Sequence, residues 1–143
     1  GFTGNSDPIT ANWEEVDTGA YSTLGSGVTE SSGVFSFPAT GYWLIHFHIK
    51  TQHNGETRYT QMALETTTNN SSYTDVAYAT TSQQYEAGNS ASQSGSGSYI
   101  IDCTNTSNVK FRFEVSASDS STTTTGDSNA NWTYFTALRL ADT

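Results

Sequence analysis

Between Gly41 and Lys50 the chain reads GYWLIHFHIK, and no other stretch narrows its fold as much. Trp43, Ile45, Phe47 and Ile49 alternate with Leu44, His46, His48 and Lys50. Successive side chains of a strand point to opposite faces, so this spacing sends every large ring and β-branched residue into one core. The other face, with Leu44, His46 and His48, is too apolar and too particular for an ordinary solvated surface. Just upstream, Pro38-Ala39-Thr40-Gly41 supplies the residues of a tight turn.

The rest of the chain repeats this grammar in shorter pieces. Strands are expected over Trp13–Tyr21, around Val28, and over Val34–Pro38, Arg58–Thr66, Tyr73–Thr81, Ser98–Cys103, Val109–Ser116 and Trp132–Leu140. Residues 1–12 read as a polar lead-in and 13–143 as a single domain. No window carries a sustained helical period and no sequence repeat is found, so the fold class is all-β, a two-sheet antiparallel sandwich or jelly roll. Two Ser/Thr/Gly/Asn-rich stretches, 82–97 and 117–131, read as long loops. Counting strand reversals places both at one end with the 52–56 turn, and both termini at the other.

The acidic balance removes some partners. With 14 acidic against 5 basic residues, the net charge of −9 leaves no cluster of Lys and Arg for phosphate neutralisation. The same charge disfavours anionic membranes. Cys103 is the sole cysteine, which excludes an internal disulfide and reads as a small buried hydrophobe. With no initiator Met, signal peptide or apolar run of membrane-spanning length, the chain reads as a fragment of something longer.

Three stretches together, GVFSFPATGYWLIHFHIK, SQSGSGSYIIDCTNTSNVKFRFEV and NWTYFTALRL, resemble the strand signatures of the tumour necrosis factor and complement 1q superfamily. The resemblance implies a jelly roll that trimerises through the outward face of its inner sheet. Carried over residue by residue, that interface is Leu44, His46, His48, Ile100, Asp102, Phe135 and Ala137. Tyr134, Thr136, Leu138 and Leu140 would then lie in the core. His46 and His48, two apart on a strand, share a face, and a threefold axis would make them a ring of candidate metal ligands. Simple hydrogen-bonded interface histidines are the alternative. His53 is expected in solvent, and Asp75, Asp119 and Asp127 read as solvated loop carboxylates, with calcium in the loops as the sharper alternative.

Signatures of nucleophilic, metal-dependent and nucleotide chemistry are absent, so no catalytic residue is assigned. The expectation is a non-enzymatic homotrimeric head of a viral or phage fibre or virion surface protein, located on the virion or otherwise extracellular. Distal loops would bind a host glycan or protein through Tyr85, Asn89, Asp119, Asp127 and Asn129. A purely structural trimerisation cap, or a secreted complement-like head of a cellular organism, are the competing readings.

Overall fold

The structure, a computed structural model, describes residues 1–17, 19, 23–84 and 88–143. In chain order its strands are β1 (Phe2–Thr3), β2 (Thr29–Ser31), β3 (Val34–Ser36), β4 (Gly41–His53), β5 (Thr57–Thr67), β6 (Thr74–Gln83), β7 (Ala91–Cys103), β8 (Lys110–Ala117), β9 (Thr123–Thr124) and β10 (Tyr134–Ala141). They form two antiparallel sheets, a jelly-roll sandwich, and the described residues include no helix. In the first sheet β4 is central: β7 covers one edge along its whole length, while β10 and then β9 share the other. The second runs β2-β3-β8-β5-β6.

Alternation along β4 does what the sequence dictates. Trp43, Ile45, Phe47 and Ile49 are each 4% exposed or less. From the other sheet they meet Phe111, Phe113 and Val115 of β8, Met62 and Leu64 of β5, and Phe35 of β3. Aromatic contacts tie this core together: Phe35 stacks on Phe111 at 5.1 Å between centroids, and Phe47 tilts against Phe113 at 5.6 Å. Such pairs add about 0.5–1.5 kcal/mol each beyond area burial. Cys103 is a free, fully buried thiol in the same core, its pKa pushed up by desolvation.

Several expectations need correction. Residues 1–12 are no lead-in but a staple between the two sheets. Phe2–Thr3 pairs with β9 in the first sheet, after which Ser6 bridges Val115 and Ile9 N donates to Phe113 O in the second. Ile9 enters the core, and its carbonyl accepts the Trp13 indole N–H at 2.8 Å. Backbone donors left idle on the free edge of β8 recruited this polar segment. Residues 13–17 form no strand, although Trp13 packs edge-on against Phe35 and Phe135. The rest of the expected first strand falls largely outside the described residues.

The 82–97 stretch is mostly strand. β6 continues to Gln83 and β7 begins at Ala91, pairing with β4 from His53↔Ala91 to Gly41↔Cys103. Its Ser and Gly residues have weak β propensity, but the exposed edge of β4 dictates the conformation. The glycines answer a spatial demand where the edges of the two sheets meet. A Cβ on Gly97 would stand 2.5 Å from Phe47 Cζ and 3.0 Å from Tyr78 O. Within 117–131, Thr123–Thr124 likewise forms β9 beside Thr51 and Gln52.

The 54–56 and 118–133 connections do share the β4 C-terminal end, as do the described residues 84 and 88–90, but the termini do not share the other. Ala141 pairs with Tyr42 at the short-turn end, whereas Phe2 pairs with Thr124 at the loop end. The bridging N-terminal segment shifts the strand count on which the expectation rested.

Gly97→Val should overpack the β6–β7 seam and cost about 1–3 kcal/mol in urea unfolding. Ser98→Val, one residue on and facing outward, should leave the unfolding midpoint nearly unchanged.

Candidate functional site

The outer face of the first sheet is the feature that the core does not explain. Register defines it, since directly opposed residues share a face. β10 runs against β4 with Tyr134↔His48, Phe135↔Phe47, Thr136↔His46, Ala137↔Ile45 and Leu138↔Leu44. Phe135 and Ala137 therefore face inward, contrary to the expected interface. Phe135 touches Phe35 at 4.7 Å and Phe113 at 5.2 Å, and Ala137 packs on the same cluster. Tyr134, Thr136, Leu138 and Leu140, expected in the core, lie on the outside, with Leu138 48% and Leu140 50% exposed. Both faces of β10 carry bulky residues, so alternation alone could not choose between them.

On the other side of β4, Ile100 opposes Leu44, Ser98 opposes His46, Ser96 opposes His48 and Asp102 opposes Tyr42. The face thus grades along its length. At the short-turn end Tyr42, Leu44, Ile100, Leu138 and Leu140 form an apolar patch, with Ile100 52% and Tyr42 41% exposed. At mid-sheet come the histidines. His48 stacks on Tyr134 at 5.5 Å and 28°, and its Nδ1 is 2.8 Å from Ser96 Oγ. His46 meets Tyr134 edge-on at 6.4 Å. Within one subunit no carboxylate or thiol joins them among the described residues as a third ligand.

The loop end of the face is polar and concave. A cleft of about 300 Å³ is lined by His48, Lys50, Ser92, Gln93, Ser94, Asn131 and Trp132. The Lys50 ammonium lies 3.6 Å from the Trp132 ring centroid. Thr125 and Thr133 hold the loop in place: Lys50 O accepts from Thr125 N at 2.9 Å and from Thr133 Oγ1 at 3.3 Å. Lys50 N in turn donates to Thr133 Oγ1 at 3.0 Å. Sequence reasoning took Trp132 for the first residue of the last strand and missed this cleft. An exposed Trp beside an Asn-rich loop was the available signal.

Of the loop residues expected to bind, Tyr85 lies outside the described residues. Asn89, Asp127 and Asn129 are exposed, with Asp127 Oδ1 accepting from Asn129 N at 2.7 Å. Asp119 is engaged locally: Ser121 Oγ donates to its Oδ1 at 2.6 Å, and His53 Nε2 is 3.8 Å from its Oδ2. His53, expected in solvent, is 7% exposed beneath this loop. Hydrogen bonds from Ser121, more than the His53 charge, hold the Asp119 carboxyl below its ordinary pKa. Asp75 accepts from Tyr78 OH at 2.6 Å, which raises the Tyr78 pKa.

One further group of acids, Asp7, Glu65 and Glu114, converges on the outer face of the second sheet. Arg112 already occupies it, with Nε 2.7 Å from Glu65 Oε2 and its guanidinium 4.2 Å above the Tyr73 ring. Burial, then the charges of Asp75, Asp7 and Glu65, raise the Glu114 pKa. Arg112 pairs with Glu65 and Asp7, so the cluster is an ion-paired structural network that keeps a net negative charge.

No family model matches this chain, and no curated protein matches it either.

Phe135→Ala should destabilise the fold by about 3 kcal/mol, the low end for buried Phe truncation. Leu138→Ala should cost the dissociated subunit less than about 0.5 kcal/mol, as exposed substitutions do. Equal losses would reverse the assigned faces. By NMR titration, Asp119 should titrate below the free-carboxylate range of about 3.9 and Glu114 above about 4.3. The signs are opposite: acid removes the stabilisation held by Asp119 as pH falls through its lowered pKa. Protonation relieves the strain at Glu114 as pH falls through its raised one.

Proposed function

We propose that this domain is a self-associating jelly-roll head of a virion-surface or fibre protein, closing as a homotrimer through the outer face of the β4 sheet. One observation carries the reading. Tyr42, Leu44, Ile100, Leu138 and Leu140 leave an apolar patch on the face opposite a filled core. A monomer rarely keeps such a patch in water, and burial against copies of itself removes the cost. The threefold stoichiometry rests on the resemblance to the tumour necrosis factor and complement 1q superfamily. The virion setting rests on acidic, Ser/Thr/Asn-rich composition.

In this reading the interface is Leu44, His46, His48, Ile100 and Asp102 with Tyr42, Leu138 and Leu140, and without Phe135 and Ala137. His46 and His48 remain candidate ligands for a metal on the axis. Host contact through the loop end is the adhesive half of the function. Its support is the built cleft beside Trp132, not the five loop residues first singled out. A purely structural cap is the second reading. It is favoured by the position of Gly1 beside Thr124, so that the first residues run along the loop end.

Light scattering on the purified domain should return three times the 15.4 kDa chain mass. Ile100→Asp with Leu138→Asp should give a folded monomer. A wild-type monomer would end the trimer reading.

A further inference from the structure

The cleft at the loop end of the outer face is composed unlike the rest of the surface. The chain carries 14 acidic residues against 5 basic ones, yet among the described residues Lys50 lines this cleft and no carboxylate does. The cleft also holds the Asn131 amide, the hydroxyls of Ser92 and Ser94, the His48 imidazole and the Trp132 indole, whereas Gln93, opposite the buried Thr51, borders it from a position whose side chain belongs to the inner face. The small serines of β7 make a flat floor, and Trp132, 39% exposed, makes a wall.

We propose that this cleft binds a saccharide bearing a carboxylate. Each part of such a ligand meets a partner of the right chemistry. A pyranose ring presents an apolar C–H face, which packs on an exposed indole. Its hydroxyls both donate and accept, as do the Asn131 amide and the hydroxyls of Ser92 and Ser94. Its carboxylate pairs with the Lys50 ammonium in a charge-assisted bond.

The ammonium now rests on Trp132, and an exposed cation–π contact is worth only about 0.5–1 kcal/mol. Turning it toward a carboxylate therefore costs little. The Thr125 and Thr133 bonds to the Lys50 backbone hold loop and strand together before any ligand arrives, which limits the ordering cost of binding. A bare phosphate is less suited, because one lysine offers a single cationic donor and the indole face would go unused. Nucleic acid is opposed by the net charge of −9.

This inference rests on the adhesive half of the proposed function and is independent of stoichiometry. Saturation-transfer NMR and titration of the full chain would use sialyllactose and a hyaluronan tetrasaccharide as acidic probes, with lactose as the neutral control. At least one acidic probe should bind with Kd near about 1 mM, and lactose at least about tenfold more weakly. Trp132→Ala and Lys50→Gln should each weaken binding by about tenfold or more, an energy of about 1.4 kcal/mol. Ser94→Tyr, an exposed strand position that fills the cleft, should block binding even if the Trp132 variant folds poorly.

Failure of both acidic probes, equal binding of lactose, or binding retained in Ser94→Tyr would each overturn the proposal. A monomer that still binds would sink the trimer and leave the cleft standing. A trimer that binds neither acidic probe would do the reverse.

Discussion

Everything in this sandwich is referred to β4. Both its edges are paired along most of its length, as are those of β5 in the other sheet, and its inward residues fill the core from end to end. A strand so placed fixes its neighbours' faces through register, because a slip of one residue would turn each neighbour inside out. The Phe47 ring illustrates the reach of this constraint. It packs on Phe113, opposes Phe135 on β10 and leaves no room for a side chain at position 97 of β7. One aromatic residue thereby influences the packing of three other strands.

The two ends of the outer face follow from the same geometry. Near Gly41 the three strands bring Tyr42, Leu44, Ile100, Leu138 and Leu140 together, although they come from distant parts of the chain. Near His53, β10 has not yet begun, and the 118–133 connection folds against the exposed edge of β4 instead. That change of partner turns an apolar sheet face into a polar cleft. Association and ligand recognition thus share one sheet face, with His48 at the border between the apolar end and the cleft.

Closure of the sandwich is shared among weak devices. No disulfide is available. The first residues pair with β9 in one sheet and β8 in the other, and the Thr51–Thr81 and Gln83–His53 contacts tie the sheets at the loop end. Gln83 Nε2 donates to two carbonyls at this turn, those of His53 and Gly55. Such bonds are each worth about 0.5–1.5 kcal/mol, so this end relies on their number.

Alternation alone determined a good deal. The β4 core residues, the stripe of Val109 with Phe111, Phe113 and Val115 of β8, the buried Cys103 and the all-β sandwich could all be read before any coordinates. Each depends on a period of two within a short segment, and period is a local property. Only the tertiary structure could decide the face of Phe135, the strand hidden in SQSGSGS, the burial of His53 and the cleft under Trp132. Those depend on which edge lies alongside which, and the chain encodes that choice through the summed fit of distant residues rather than through any one stretch.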